Sequence, residues 1–482
     1  MTPLVYVFYH GDVSIEPWEW LLSFLLVGGL YVVLARRRNR LIKSAPEFKY
    51  YLSGFLAKVL GGMAFSLIYF YYYPGGDTTA YYYSALAMRN LAFSDTLEYF
   101  TQMLGDNSMR AWSAYTVNTA KPFQYVFFED RTFAVLRLTS IIVIFSFKSY
   151  LVTTVLTAVL SYLGVWAGYR TFVSYFPGIA GKLAIGFLFM PSAVFWGSSI
   201  LKDTYTFSVV CLWAHAVDEI FFKRRNYISR SAMLVLSAFI MVLIKPYIFM
   251  VLLPCTLAWI SYFRVVRIRS MLVKFVVLPM AATVALGGSF FILNRLSGAL
   301  DKFALGSALE TIEATHRDLS DEKQYGTNRF ELGRFDGTWQ GLVSKFPVAT
   351  NAALFRPYLW ESRSVVMLLA GLENAMVLLL TLWCLVRAGP LFTIRVFTGI
   401  PLVLMALTFA LLFAFVVGVT TPNFGALVRF KIPLVPFYMS SIFIVLHLAE
   451  IRRVTRRRNM GFVLSAFRMG TGANAPPPKS RK

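Results

Sequence analysis

The chain has 482 residues, of which 57% are hydrophobic and only 15% charged, and its net charge is +23. This apolar fraction is more than a soluble core can bury, so the composition excludes a soluble globular protein and predicts a polytopic membrane protein. The three cysteines, Cys211, Cys255 and Cys384, lie in apolar runs without any Cys–His cluster. That pattern indicates neither a disulfide framework nor a structural metal site.

Apolar runs of bilayer length recur along the chain and predict an all-α transmembrane helix bundle of about eleven spans. The first run is too long, and too unlike the pattern of a cleaved signal peptide, to be a removable leader. The predicted spans are 17–35, 53–73, 149–168, 183–200, 204–222, 231–245, 247–263, 272–293, 364–386, 396–418 and 432–448.

Lysine and arginine in the loops predict the orientation of the bundle. The first span ends in the basic run 36–40, which places that loop in the cytoplasm. Alternation then puts 223–225, 264–274 and 452–458 on the same side, together with the whole net charge. The N-terminus is therefore predicted outside and the C-terminus in the cytoplasm. The basic side is expected to attract anionic lipid, so the charge does not indicate nucleic-acid binding.

The run 132–147 is apolar enough to be a further span, but counting it would move every later basic loop outside. We therefore predict a helix in the outer interface, with Arg137 and Lys148 at its edges. The transmembrane domain covers 1–451, with outer segments 74–148 and 295–363. The tail, 452–482, is expected to be cytoplasmic, basic and partly disordered.

Charged residues of both signs accumulate at the predicted outer level. Lys202 and Asp203 lie at a predicted turn, where Ser or Gly would break the apolar run without any charge. The alternative to a functional role is a lysine that snorkels to the membrane interface and pairs with its neighbour. Asp77 follows a Pro-Gly-Gly break. It either caps the next helix or serves as an accessible acid.

Further charges fall on the same predicted face. Lys245 precedes Pro246 in an otherwise apolar stretch, which suggests a shortened hairpin that lines a cavity. Arg356 and Glu361 flank a Pro-Tyr-Leu-Trp sequence and could simply pair with each other. Arg429 lies at the predicted outer end of the last span, 432–448.

Acids beside cations at an outer membrane face suit a polyprenyl-phosphate sugar. Its tail lies in lipid, its phosphate needs Arg or Lys, and transfer of its sugar to a hydroxyl needs a carboxylate base. Because interfacial cations contribute little to folding, loss of the phosphate ligands is expected to lower activity rather than stability. No metal or other cofactor is required, and whether a divalent cation takes part stays open.

These residues resemble the GT-C superfamily of integral-membrane glycosyltransferases over roughly residues 50–450. The similar features are an acid in the first outer loop, amphipathic outer-face segments, a Pro…Lys-Asp turn, and the late Arg-Phe-Lys-Ile-Pro-Leu-Val-Pro element. The resemblance implies a GT-C-like fold with catalytic acids at Asp77 and Asp203. We assign donor-phosphate binding to Lys202, Lys245, Arg356 and Arg429, and acceptor or sugar binding to Tyr81, Trp360 and Glu361.

The sequence thus predicts a glycosyltransferase of the bacterial inner membrane that moves a sugar from a polyprenyl-phosphate donor to an acceptor hydroxyl on the outer face. Two alternatives stay open: a polysaccharide polymerase or O-antigen-ligase-type enzyme, and a transporter or flippase of lipid-linked glycans. A flippase needs a polar path to both faces. Few embedded charges other than Lys58 fall near the inner leaflet, which favours the enzyme.

Overall fold

The computed structural model describes residues 13–73, 75–266, 329–330 and 339–455, and this part is mostly helical, with no strand and one isolated β-bridge between Arg329 and Asn423. The helices of the first half are α1 (Pro17–Leu41), α2 (Tyr51–Leu67), α3 (Asp77–Ser94), α4 (Thr96–Met103), α5 (Met109–Ser113), α6 (Gln124–Phe127), α7 (Asp130–Phe145), α8 (Tyr150–Tyr175), α9 (Ala180–Ala184) and α10 (Pro191–Trp196).

The later helices are α11 (Lys202–Val217), α12 (Tyr227–Ile244), α13 (Pro246–Val266), α14 (Trp339–Ser344), α15 (Phe346–Phe355), α16 (Val365–Ala388), α17 (Pro390–Gly399), α18 (Pro401–Thr420), α19 (Phe424–Phe430) and α20 (Val435–Thr455). Short 3₁₀ or π segments adjoin several helices: Pro46–Tyr50, Ile68–Tyr72, Pro177–Ile179, Ile185–Phe189, Asp218–Phe222, Leu359–Glu361 and Ile432–Leu434.

Seven helices in the described ranges are long and apolar enough to cross a membrane, as expected of a multi-pass membrane protein. Each coincides with one of the predicted runs. The seven are Pro17–Leu41, Pro46–Tyr71, Tyr150–Tyr175, Tyr227–Ile244, Val365–Ala388, Pro401–Thr420 and Phe424–Val454.

The predicted count of about eleven spans is not confirmed, since the described ranges contain seven candidate spans. The run 183–200 is a broken element rather than one helix, and 204–222 belongs to a helix that begins with two charged residues. The run 247–263 falls in a shorter apolar helix, Pro246–Tyr262. The span 272–293, most of the segment 295–363 and the tail beyond 455 lie outside the described residues.

The break in 183–200 has a visible backbone cause. The chain is extended at Met190, and Pro191, which has no N–H, starts the short helix α10. Residues 197–201 then run without regular structure while fully buried. Lys58 of α2 donates to the carbonyl of Ala193 at 3.2 Å and to that of Gly197 at 2.7 Å. The embedded lysine thereby satisfies carbonyls that a continuous helix would have paired internally.

Close packing of α8 on α11 depends on two glycines four residues apart. A Cβ at Gly164 would overlap Ser208, and one at Gly168 would lie 2.9 Å from the Cβ of Cys211. Small residues at this spacing let two membrane helices approach backbone to backbone.

We expect Gly164→Leu to destabilise the bundle by several kcal/mol, because α11 cannot move away without breaking its other contacts. Gly29→Leu is the matched control, since Gly29 has no neighbouring atom within 4 Å of an added Cβ. Melting temperature in detergent measures both. Equal melting temperatures for the two variants would contradict the close approach of α8 and α11.

The bundle has two chemically distinct ends. At one end Arg170 pairs with Glu47 at 3.4 Å, and Tyr175 donates to Asp218 at 2.6 Å. Arg453 donates to the carbonyl of Arg387 at the same end. The C-terminal ends of α1, α11 and the described part of α20 therefore share one end, and α3 to α7 occupy the other. Which end faces outside stays a prediction of the positive-inside rule.

This topology is testable with single cysteines, because Cys211, Cys255 and Cys384 are all buried. We expect Ser108→Cys to react with an impermeant thiol reagent in intact cells and Ser44→Cys to stay protected. Both serines are exposed in the structure, so accessibility to the reagent depends on the side of the membrane. Labelling of both positions, or of Ser44→Cys alone, would contradict the predicted sidedness.

The run 132–147 forms α7, which is not among the seven candidate spans. Four consecutive residues, Phe133 to Leu136, are buried, so neighbours cover every face of that turn. Arg137 donates to the carbonyl of Met103 rather than pointing to a lipid edge. The helix is thus packed among the segments of the Asp77 end, and its interfacial position stays a prediction.

Candidate functional site

One arginine joins the two acids that the sequence singled out. The Nη1 of Arg429 donates to Asp77 Oδ2 at 2.5 Å, and its Nε donates to Asp203 Oδ2 at 2.6 Å. The ion cluster, which we define as Asp77, Asp203, Lys245, Arg429, Lys202 and Glu129, is built around this bridge. Its members come from five separate parts of the chain.

Local backbone geometry sets Asp77 at the start of α3. Gly75 has a φ of 105°, a conformation that favours glycine, and a Cβ at Gly76 would lie 2.8 Å from the ring of Tyr69. Gly76 is the N-cap, and its N–H donates to Thr79 Oγ1 at 3.0 Å. Asp77 is therefore the first residue of the helix and not its cap. Its carboxylate, 38% exposed, is directed to Arg429.

Asp203 is the most deeply buried member of the ion cluster. It lies in the first turn of α11, where the helix dipole favours an acid, and its side chain is 0% exposed. Lys245 Nζ donates to its other oxygen, Oδ1, at 2.5 Å. Although burial raises the pKa of Asp203, the adjacent Lys245 and Arg429 hold it below the ordinary aspartate value. The carboxylate is thus charged and bound by two cations.

Lys245 reaches Asp203 because a proline ends the preceding helix. The residue before Pro246 is disfavoured in helical conformation, and Lys245 adopts a φ of −142° and a ψ of 75° where α12 stops. Its ammonium lies 4.1 Å from the centre of the Phe430 ring. The lysine is therefore buried at the turn between α12 and α13, and the cavity that this hairpin was expected to line stays a prediction.

Arg429 is held by a short helix with a defined beginning and end. Asn423 caps α19 by accepting from the N–H of Ala426 at 3.1 Å. At the other end Lys431 donates to Asn374 at 2.6 Å. The Arg429 side chain is only 17% exposed and forms ion pairs with the carboxylates of Asp77 and Asp203. It is therefore a buried link between two helices rather than a cation at the membrane interface. Because Arg429 is buried, we now expect its loss to lower stability, unlike the loss of the interfacial cation that the sequence suggested.

The embedded Glu373 also has partners. It accepts from the N–H of Ser192 at 2.6 Å and from its hydroxyl at 2.5 Å, at the start of α10. Beside it, Lys431, Asn374 and Tyr438 line a cavity of about 20 Å³, room for roughly one water. This group ties α16 to α10 and α19, so Glu373 is explained by structural contacts.

Lys202 does not pair with its neighbour Asp203. Adjacent residues of a helix point about 100° apart, and Lys202 instead donates to Glu129 Oε2 at 2.9 Å. Glu129 was not predicted as a site residue. It caps α7 through the N–H of Thr132 at 2.7 Å and is 40% exposed. Burial lowers the pKa of Lys202 and Glu129 opposes this, with smaller influences from Asp77 and Lys245. Because Lys202 also directly precedes Asp203 in the chain, we count the pair with the ion cluster.

Tyr81 lies one helical turn after Asp77 and is buried against the cluster. Burial and then Asp77 raise the pKa of its phenol well above the usual tyrosine value, while Arg429 opposes them. Tyr81 therefore remains a neutral hydroxyl at physiological pH. It can supply a hydrogen bond next to Asp77 without adding charge.

Arg356, Glu361 and Trp360 form a second group. The Nε of Arg356 donates to Glu361 Oε1 at 3.0 Å, so the simple ion pair left open by the sequence is present. The guanidinium carbon of Arg356 lies 5.3 Å from the ring of Phe424, the first residue of α19. Five residues of helix, about 8 Å along the axis, separate Phe424 from Arg429. Trp360 is 81% exposed and stacks on Tyr358.

A seam of buried hydroxyls continues inward from the ion cluster. Thr78 contacts Ser199 at 3.1 Å, Ser199 contacts Ser66 at 2.7 Å, and Ser66 contacts Thr154 at 3.0 Å. All four side chains are fully buried. They bond to one another, so the seam is a closed set of helix–helix contacts in this conformation.

Two buried acids at the opposite end were missed when embedded charges were weighed from the sequence. Asp218 pairs with Lys223 at 2.5 Å, and Glu219 pairs with Arg225 at 2.7 Å. Their position at the end of an apolar run was the available signal. Asp218 and Glu219 thus add two buried charges to Lys58, although both acids have local basic partners, and the leaflet near which they lie stays a prediction.

No group of three or more His, Cys, Asp or Glu residues that could hold a metal ion occurs among the residues described. The two acids of the ion cluster are already bridged by Arg429, and Lys245 adds a second cation beside Asp203. A divalent cation would meet these positive charges at once. The residues present therefore fit an anionic ligand better than a metal ion.

Comparisons with known proteins found no match among protein-family models, curated proteins or solved structures.

Proposed function

We propose that this protein is an integral-membrane glycosyltransferase that moves a sugar from a polyprenyl-phosphate donor to an acceptor hydroxyl. The observation that carries the proposal is the convergence of Asp77, Asp203 and Arg429 with Lys245, although Asp77 and Arg429 lie 352 residues apart in the sequence. Clusters of both charge signs inside a membrane domain are costly, and they commonly mark functional sites.

The exposure of each group suggests its role. Asp77 lies at the accessible rim and can take the proton from an acceptor hydroxyl, provided Arg429 turns toward the donor. Arg429 and Lys202 are largely buried but, at 17% and 20% exposed, are more accessible than Lys245 at 7%, and they can stabilise the phosphate as it leaves. Asp203 is fully buried with two cations and acts as the fixed anion that holds Arg429 and Lys245 in place. Tyr81 can orient the acceptor.

The second group of the site has a more limited proposed role. Trp360 is exposed and stacked on Tyr358, which is a surface on which a sugar ring can rest. Arg356 and Glu361 hold the turn that presents this surface through their own ion pair. We therefore retain Trp360 as a sugar-binding residue and assign Arg356 a positioning role rather than direct phosphate binding.

A transporter of lipid-linked glycans is the second candidate. The observation that favours it is the set of buried polar groups, which runs from the ion cluster to Ser66 and reappears as Asp218 and Glu219 at the other end. The hydroxyls between them are bonded to one another and fully buried. This closed arrangement supports the enzyme over the transporter.

The test is the envelope glycan of cells that carry the wild-type gene, a deletion or Asp77→Asn. An enzyme predicts that the deletion and Asp77→Asn both lack one sugar residue and accumulate the polyprenyl-phosphate donor, as measured by mass spectrometry. A transporter predicts a complete glycan that remains on the inner leaflet. Unchanged glycan and donor levels in both strains would overturn the proposed function.

A further inference from the structure

The ion cluster, as defined by its six residues, has equal numbers of cations and carboxylates. Three cations, Arg429, Lys245 and Lys202, contact three carboxylates, Asp77, Asp203 and Glu129, and each of these carboxylates bonds to at least one cation. An anionic ligand that enters this cluster must therefore replace a carboxylate or leave a negative charge uncompensated. The cost of an uncompensated charge is large where water is scarce.

The three carboxylates differ in how readily they can be replaced. Asp203 is 0% exposed and carries two cations, so releasing it would leave a buried charge without partners. Asp77 is bound by Arg429 and is needed as the base. Glu129 is 40% exposed, and its cation Lys202 is 20% exposed. One oxygen of Glu129, Oε2, accepts from both Lys202 and the N–H of Thr132, so the exchange must separate Lys202 from this oxygen, and water can then solvate the exposed side of the carboxylate.

We infer that Glu129 is the resting counter-ion of a phosphodiester subsite, and that the phosphate of the donor replaces Glu129 on Lys202 when the donor binds. This inference rests on the proposed function for the identity of the ligand. After the exchange the cluster again contains three cations and three anions: Asp77, Asp203 and the phosphate.

The exchange also predicts a difference between donors. A sugar joined to a polyprenyl chain through one phosphate is a phosphodiester with a single negative charge, which equals the charge that Glu129 gives up. A diphosphate-linked donor brings two charges, so the release of Glu129 matches only one of them, and such a donor should gain less from the exchange.

The test measures binding of farnesyl methyl phosphate, a phosphodiester with an isoprenoid tail, to the full-length protein in nanodiscs. Farnesol, which has the tail without the charge, is the ligand control. Glu129→Gln should bind the phosphodiester about two- to fivefold more tightly, because this is the range that the loss of a partly exposed ion pair allows. It should bind farnesol with unchanged affinity. Lys202→Gln should bind the phosphodiester more weakly. In the Lys202→Gln background, Glu129→Gln should have no further effect.

Two further variants separate charge from folding. Glu129→Ser removes the charge but keeps a side chain that caps helices well, so it should bind like Glu129→Gln. Glu98→Gln breaks another ion pair of the same segment, that with Arg110, and should bind like the wild type. Farnesyl diphosphate should gain less from Glu129→Gln than the phosphodiester does.

The inference is overturned if Glu129→Gln and Glu129→Ser fail to tighten binding, if their effect persists without Lys202, or if the wild type does not bind the phosphodiester at all. A different result would contradict the proposed function: the binding differences hold, but the protein transfers no sugar. Transfer that depends on Asp77 while Glu129→Gln leaves phosphodiester affinity unchanged would retain the function and remove Glu129 from the subsite.

Discussion

Arg429→Gln is expected to reduce sugar transfer to below about 1% of the wild-type rate, because it removes charge-assisted contacts worth about 1.5–3 kcal/mol each. It should also lower the melting temperature. Arg429 bridges Asp77 and Asp203, and breaking a buried ion pair from one side costs about 3–5 kcal/mol. Arg429→Lys should be intermediate, since one ammonium cannot copy the fork that reaches both carboxylates.

A double variant separates the two losses. Asp77→Asn combined with Arg429→Gln removes the carboxylate that Arg429→Gln leaves unpaired, while Asp203 keeps Lys245. We expect this pair to regain part of the melting temperature and none of the activity. Arg110→Gln is the matched control, because Arg110 also joins two acids, Glu98 and Asp106, but on the exposed surface. Normal activity in Arg429→Gln would remove the residue from the site.

Asp77→Asn is expected to reduce transfer by about 10²- to 10⁴-fold, the usual contribution of a positioned general base. Asparagine can still accept a hydrogen bond from Arg429, and Asp77 is partly exposed, so the melting temperature should change little. Initial rates with a radiolabelled polyprenyl-phosphate sugar and melting curves in detergent measure the two effects.

The matched control for Asp77 is Asp106→Asn. Asp106 belongs to the same predicted outer segment and accepts from an arginine, Arg110, at 2.6 Å, yet it is not a member of the ion cluster. It should retain wild-type rates. If Asp106→Asn and Asp77→Asn behave alike, the acid at position 77 has no special chemical role.

Long apolar runs made most of the membrane helices predictable. Residues 17–35 and 364–386 are apolar enough that a crossing helix is the only way to satisfy the backbone in lipid. The broken element at 183–200 was not predictable in the same way. Pro191 and Gly197 lie in a sequence whose average hydrophobicity equals that of a span, and only the distant Lys58 reveals that free carbonyls are present.

The charged residues of the site were predictable one by one, but their pairing was not. Lys202 and Asp203 are neighbours in sequence, whereas their partners Glu129 and Arg429 lie 73 and 226 residues away. Nothing in the sequence around Glu129 distinguishes it from an ordinary loop acid. The Arg356–Glu361 pair was predictable because five residues and a short turn separate them.

The prediction from the sequence was least accurate for the burial of the charged side chains. An arginine near the end of a helix suggests an interfacial position, where its removal costs little. Arg429 instead lies beneath α3 and α11 with only 17% of its side chain exposed. The turn at 75–76 directs Asp77 to Arg429. The end of α12 before Pro246 directs the buried Lys245 to Asp203.

The most direct test of the account is sugar transfer by purified protein in proteoliposomes that contain a radiolabelled polyprenyl-phosphate sugar and a hydroxyl acceptor extracted from the same membranes. The account predicts that label moves to the acceptor with the wild-type protein and with Asp106→Asn, and does not move with Asp77→Asn or Arg429→Gln. Label that never leaves the lipid but crosses to the other leaflet, or transfer that is equally fast with Asp77→Asn, would contradict it.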